Sequence, residues 1–248
     1  VLNPYDIWRM VVLIVAISLM GYAAYKVFKD KAGTLLAGVL GGLISSTATT
    51  VSYARNTKNL PETSSLAALA IMLASTVSVI RVTLAFMVVS PSATRVIAPP
   101  LLTLFSVMVI ICVGLYFKRS GETHTMPEPD NPAELASAIV FGLLYGAIIF
   151  AVAAAKEMFG QQSLYLIAMI SGLTDVDAIT LSTGRLVEGH RLDAHTGWQL
   201  VMIAIMANLV FKLGSVAVLG NKVLFKKLIV IFGAAFFVGV GILLGWSP

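Results

Sequence analysis

The chain has 248 residues, 58% of them hydrophobic and 12% charged, with a mean hydropathy of +0.92. Soluble domains carry about 25% charged residues, so a soluble enzyme, a nucleic-acid-binding domain and a disordered tail are excluded. The net charge of +5 comes from short basic clusters between apolar runs, which suits anchoring at lipid headgroups rather than a nucleic-acid face.

A bilayer crossing takes about 20 apolar residues. On that scale eight apolar segments follow in order, over roughly 7–28, 33–54, 64–89, 95–117, 133–156, 162–185, 197–219 and 223–246. The fold class is therefore all-α: a polytopic transmembrane helical bundle. Its longest polar stretch, KRSGETHTMPEPD over 118–130, divides the chain near its middle. This gives a first transmembrane half at 1–120, a linker at 121–130 and a second half at 131–248. Without an initiator Met, the sequence reads as beginning just before the first helix of a longer protein. Cys112 is the only cysteine and lies inside an apolar run, so it forms no intrachain disulfide.

The two halves repeat the same order of features. Asn3-Pro4 opens the first and Asn131-Pro132 the second, and each second segment carries glycine followed by a polar cluster. At a fixed offset of 130, Gly42 matches Gly172, Leu43 matches Leu173, Ala48 matches Ala178, Thr50 matches Thr180, Ser52 matches Ser182 and Arg55 matches Arg185. Ungapped identities at one register point to a duplication, with four segments in each half. Loop charge bears on the path of the chain. If all eight segments cross, basic loop residues divide seven against eight and give no orientation. If 33–54 and 162–185 instead return to the side they entered, the division is ten against five, and Arg55 and Lys58 join Lys222, Lys226 and Lys227 on the richer side. That second path makes the halves an inverted repeat with re-entrant or broken second helices. Because 22 apolar residues can also span, eight plain crossings are the expectation.

The chemistry gathers in the two polar clusters. The first brings the hydroxyls of Ser45, Ser46, Thr47, Thr49 and Thr50, and the second brings Thr174, Asp175, Asp177 and Thr180. A carboxylate at bilayer depth costs at least about 2.5–3.5 kcal/mol. Positions 175 and 177 lie about 200° apart on a continuous helix, so both acids face one site only where the backbone unwinds. Gly42 and Gly172 are the expected breaks. Carboxylates, hydroxyls and freed carbonyls form a hard oxygen set suited to a bound cation, Mg²⁺, Mn²⁺, Ca²⁺ or Na⁺, and no other cofactor is implied. Against this stands ordinary helix packing, in which Ser and Thr bond to the preceding turn. Arg81 and Lys212 sit seven residues before Val88 and Leu219, near the ends of the third segments. They either snorkel to headgroups or neutralise Asp175 and Asp177 when the site is empty. Asn208 shares a helix face with Lys212 and reads as an interhelical hydrogen-bonding group. The 188–195 loop, with Glu188, His190, Asp193 and His195, fits no zinc spacing and reads as a solvated connector. No P-loop, Gly-x-Ser-x-Gly or His-Glu-x-x-His motif is present, so the chain is not expected to be an enzyme.

GGLISSTATTVSYAR, followed some 130 residues later by SGLTDVDAITLSTGR, together with Leu2-Asn3-Pro4-Tyr5 and the NPAEL start of the second half, resembles a known pattern. It is that of the uncharacterised membrane domain found C-terminal to MgtC/SapB-family domains in bacterial inner-membrane proteins. The resemblance implies a multi-pass protein of the bacterial inner membrane and a preceding MgtC-like domain as neighbour, with no substrate attached. The reading that follows from the residues is a secondary transporter or channel-like permease for an inorganic cation, divalent or Na⁺/H⁺, with its site between the repeats. The alternatives are a non-transporting module that binds or regulates a partner such as the MgtC-like domain, and an anion or small-solute transporter. The expected partners are the lipid bilayer, a small inorganic ion, and either a second copy of the chain or the MgtC-like domain.

Overall fold

The computed structural model describes residues 34–118 and 162–246, with single positions within 5–26 and at 150. The expected segments 7–28 and 133–156 and the linker 121–130 lie outside the described residues. Those described are helical: α1 Thr34–Asn59, α2 Ser64–Val89, α3 Thr94–Phe117, α4 Gln162–Thr174, α5 Val176–Glu188, α6 Ala194–Leu219 and α7 Lys222–Gly245. Short 3₁₀ turns at Pro61–Thr63 and Pro91–Ala93 lead into α2 and α3, where a proline whose missing N–H costs nothing starts each turn. Asp193 caps α6 by accepting the Thr196 N–H at 2.7 Å, and Asn221 caps α7 by accepting the Leu224 N–H at 2.7 Å.

Among the described residues, five helical stretches are by length and composition apolar enough to cross a membrane, beginning at Leu35, Pro61, Pro91, Ala194 and Lys222. The path of the chain separates α1 from the other four. Its helix is interrupted at Ser45, which is extended at φ −163° and ψ 109°. Before the break α1 runs alongside α2 in the same direction: Gly38 lies against Ala70 and Leu73, and Gly42, one turn on, against Ala74 and Val77. After the break it comes back. Asn59 is followed at once by the turn into Ser64, and the Thr57 carbonyl accepts from Asn221 at 2.8 Å. The stretch 34–59 is thus a V whose two ends lie at one end of the bundle.

The stretch 162–188 makes the same V at the opposite end. Tyr165 donates to Gln199 near the start of α6 at 2.8 Å, and Gly172 packs on Ala204, so α4 runs with α6. The chain then breaks at Asp175, extended at φ −152° and ψ 122°. Next, α5 returns until Val187 lies on Gly197 and Glu188 accepts from Ser90 and Ser92 at 3.2 and 2.8 Å. The expectation of eight plain crossings therefore fails at both second segments. The stretch 34–59 is long and apolar enough to span, but one extended residue turns it back, and 162–188 is two 13-residue arms joined at another.

These contacts also fix direction. The end of α2 lies beside the start of α6, through Glu188, while the end of α6 lies beside the start of α2, through Asn221 and Ser64. So α2 and α6 are antiparallel. Neighbours pair reciprocally: α1 packs on α2 and α6, α5 on α6 and α2, α2 on α7, and α3 on α6. Small residues allow this closeness where burial against lipid supplies no drive. A Cβ on Gly42 would stand 2.6 Å from the Ala74 carbonyl oxygen, and one on Gly172 would stand 2.4 Å from that of Ala204.

Candidate functional site

The two V-shaped stretches bring their tips together in the middle of the bundle, and the breaks decide which groups are free there. Ser45 and Asp175 are extended residues 130 positions apart, and each caps the arm that follows it. The Ser45 hydroxyl accepts the Ala48 N–H at 3.2 Å, and Asp175 Oδ1 accepts the Asp177 N–H at 2.7 Å. Each tip thus presents the positive N-terminus of a returning arm and the freed carbonyls of an arriving one.

The glycines are not the breaks. Gly42 and Gly172 are helical and lie three residues earlier, where they let α1 and α4 touch the backbones of α2 and α6. The chain is interrupted instead at residues whose side chains cap a new helix. Asp175 is accordingly the cap and Asp177 lies in the first turn after it, so the break brings both acids to one tip.

Three long side chains fasten the freed carbonyls and tips. Arg81, on α2, donates from Nη1 to the Leu43 carbonyl at 2.8 Å and from Nη2 to Asp177 Oδ2 at 2.5 Å. It therefore holds the tip of one V to the tip of the other, and this is the one salt bridge among the described residues. Asn208, on α6, donates to the Gly172 carbonyl at 3.1 Å. Lys212, one turn further along α6, donates to Ser46 Oγ at 2.9 Å and Ser75 Oγ at 3.1 Å. Both cations point inward: Arg81 is 9% exposed and Lys212 1%, so neither snorkels. Asp177 is 8% exposed, and its Oδ1 and the Arg81 Nε have no hydrogen-bond partner among the described residues.

Of the expected charge pairing the structure shows one pair. Arg81 neutralises Asp177 directly, whereas Lys212 rests on two hydroxyls and Asp175 serves as a helix cap. At the 130-residue register the counterpart of Arg81 is Phe211 and that of Lys212 is Val82, so the two cations are not equivalent positions. Of the predicted hydroxyls, Ser45 and Ser46 are at the tip and engaged as described. Thr50 and Thr180 donate to the carbonyls of Ser46 and Val176, at 2.8 and 2.7 Å. Thr47 occupies the first turn after the Ser45 break, and Thr174 closes α4. Ser75 was missed. Its signal is a polar line through an apolar helix, Ser75, Ser78 and Arg81, at three-residue spacing.

Among the described residues no three His, Cys, Asp or Glu side chains gather where a metal ion could be held. In the 188–195 loop, Glu188 ties α5 to the α2–α3 turn and Asp193 caps α6. His195 packs edge-on to Trp198 with ring centroids 5.2 Å apart. Burial alone would raise the Asp193 carboxyl, but hydrogen bonds from Thr196 and its own backbone, with the His195 charge nearby, hold it below the ordinary value.

An all-helical bundle with long apolar helices and ionised groups buried between them defines a membrane-embedded protein. Residues 12–220 match the family described as a domain of unknown function, DUF4010, and the chain belongs to that family. It is 28% identical over 211 residues to an uncharacterized protein of Aquifex aeolicus (strain VF5), covering 84% of this chain and 91% of that protein. No solved structure matches it.

Proposed function

We propose that the protein is a secondary transporter built from two inverted repeats, with a monovalent-cation site where the two hairpin tips meet. One observation carries this reading. Two broken stretches, interrupted at register-matched Ser45 and Asp175, enter from opposite ends and meet where the buried Asp177, Arg81 and Lys212 lie with the half-buried Asp175. Interrupted backbone and ionised side chains at membrane depth are retained where they line a substrate path, and paired broken helices in inverted halves are a recurring transporter plan. The antiparallel course of α2 and α6 and the reciprocal packing of the helices support the duplication. Arg55, Lys58, Lys118, Lys222, Lys226 and Lys227 fall at one end of the bundle, against Arg95, Arg185 and Arg191 at the other. That end then faces the cytoplasm. A location in the bacterial inner membrane follows from the family resemblance.

A cation arriving at Asp175 and Asp177 competes with Arg81 for the same carboxylate, so its binding loosens the bond between the tips. The hydroxyls of Ser45, Ser46, Thr47 and Thr180 supply neutral oxygens beside the acids. The two acids already face two bases, so one added positive charge disturbs the balance of the set less than two would, which favours Na⁺ or H⁺ over a divalent ion. The test is flux of ²²Na⁺ and of protons into proteoliposomes under an imposed potential. Asp175→Asn with Asp177→Asn should abolish it, and wild-type flux in that variant would remove the site.

A second reading, a non-transporting module that holds a partner such as an MgtC-like domain, is favoured by the hydroxyls that bond within their own helices. Thr49, Thr50, Thr180 and Ser182 all donate to carbonyls one turn back. Wild-type protein that passes neither ion would support it.

A further inference from the structure

Lys212 is buried more completely than any other charged side chain described, yet no carboxylate among the described residues meets it. An ammonium group has three N–H donors, and the structure gives this one two acceptors, both neutral hydroxyls. An ionised group taken out of water without a counter-ion is costly, and a lysine, unlike an arginine, escapes that cost by losing its proton. The same two hydroxyls serve either state. They accept from the ammonium, and one of them donates to the lone pair of the neutral amine.

The surroundings keep the two halves of the site distinct. From α2, Arg81 faces Lys212 with a fixed positive charge, and from α5 comes Asp177, already paired with that Arg81. Asp175 lies at the same tip as a helix cap. From α1 come hydroxyls at the tip, while its Arg55 and Lys58 lie at the basic end, Lys58 on the Val218 carbonyl at 3.2 Å; from α3 comes the Cys112 thiol, which shares a hydrogen with Thr76 at 3.4 Å. On α4 the titratable group is Tyr165, at the far end, and the lysines of α7, Lys222, Lys226 and Lys227, lie at the basic end of the bundle. So one cation keeps its charge at every pH tested and is already paired with a carboxylate. The other is free to change state, and it bridges α6 of the second half to the tip of the first through Ser46, the residue after the break.

We propose that Lys212 is the proton-binding group of this protein, and that gain and loss of its proton fasten and release the first hairpin tip from α6. The proposal rests on the transporter reading and names its coupling ion. The step is a proton transfer alone: the Nζ–H bond breaks, the electron pair stays on nitrogen, and water takes the proton. The charged amine holds Ser46 and Ser75 with two charge-assisted bonds, the stronger kind, and the neutral amine holds them weakly.

The test places a bimane fluorophore on Ala48→Cys, an exposed position beside the tip, in a Cys112→Ser background, and follows its emission between pH 5.5 and 9 in detergent. The parent should move between two spectra, with their ratio changing by about tenfold per pH unit at most, as one proton allows. Lys212→Arg should stay at the low-pH spectrum and Lys212→Met at the high-pH one, at every pH. Ser46→Ala, which keeps the amine, should keep the transition but move its midpoint, provided it elutes as the parent does. A flat parent profile, or an unchanged transition in Lys212→Arg, overturns the proposal. Sodium flux with a flat profile would remove the proton site and leave the transporter reading. A Lys212-dependent transition without any flux would do the reverse.

Discussion

The bond between Arg81 and Asp177 ties the two hairpin tips together, and cutting it from either side should show how much of the fold depends on it. Asp177→Asn removes the negative charge and leaves a guanidinium that is 9% exposed facing only neutral acceptors, the Leu43 carbonyl and the new amide oxygen. Arg81→Met leaves a carboxylate that is 8% exposed and already has one unpartnered oxygen. Stranding one member of a buried pair costs about 3–5 kcal/mol, because the remaining charge stays out of water uncompensated. In a chain of this size each kcal/mol moves a midpoint by about 2–4 °C, so each single variant should lose about 6–20 °C. The double variant strands no charge and should lose less than the sum of the two, by at least about 2 kcal/mol of coupling. The measurement is the thermal midpoint of monodisperse protein in detergent, by size exclusion after heating, across the full double-mutant cycle at one pH. Additive losses would refute the reasoning, since they would mean that the two groups do not sense each other. Single losses below about 1 kcal/mol would place the pair in contact with water, as for exposed ion pairs.

Two further outcomes follow from packing and capping. Gly172→Ala puts a methyl group 2.4 Å from the Ala204 carbonyl oxygen and 2.5 Å from its Cα, both backbone atoms, so α4 must retreat. The expected loss is about 3 kcal/mol, seen as a lowered midpoint. Gly233→Ala on α7 meets nothing within 4 Å and should hold or raise the midpoint by up to about 1 kcal/mol; equal losses in both would discard the close-approach argument. Asp193→Ala should cost about 1 kcal/mol as a lost cap, whereas Asp193→Asn keeps the cap and loses only the charge. Because hydrogen bonding holds this carboxyl below its unfolded value, its contribution is complete above that unfolded value and fades as pH falls through the folded one. The acid limb of wild-type melting should therefore flatten in Asp193→Asn, and an identical limb in both would show that Asp193 carries no such linkage.

Much of this arrangement is legible in the sequence, because lipid makes polar residues conspicuous. Arg81, Asp177 and Lys212 stand out as ionised residues in apolar runs, and all three are found pointing inward. The 130-residue register is visible as identities, and Ser45 and Asp175 break at matching places within it. The course of the second segments is less legible. Composition sees a helix long enough to span, while the reversal depends on one residue's φ and ψ and on a hydroxyl or carboxylate ready to cap the next turn. Glycine was the wrong signal there, since in these helices it marks the place where two backbones touch. Basic residues held better information: five further segments separate Lys58 from Lys222, so the two can share an end only if one of those, 162–185, turns back, and they do share it, with Lys58 donating to the Val218 carbonyl at 3.2 Å. Ser75 was overlooked because a serine in a membrane helix usually bonds to its own preceding turn. Only the position of Lys212 on another helix shows that this one looks outward.

On the inverted-repeat reading proposed above, the two tips have to differ. Were both copies to carry the acids, four carboxylates would meet at bilayer depth, and the two bases could not balance them. Had both kept only hydroxyls, Arg81 would be stranded as an unpaired buried charge. Giving Asp175 and Asp177 to one tip, and Ser45, Ser46 and Thr47 to the other, leaves a set that sums to zero. It also leaves the two cations with different tasks. Arg81 meets a carboxylate at 2.5 Å and is fixed, while Lys212 meets hydroxyls at 2.9 and 3.1 Å and is free to change charge without breaking an ion pair. Symmetry of the backbone thus brings the tips together, and the departure from symmetry in the side chains gives one of the two joints the capacity to open.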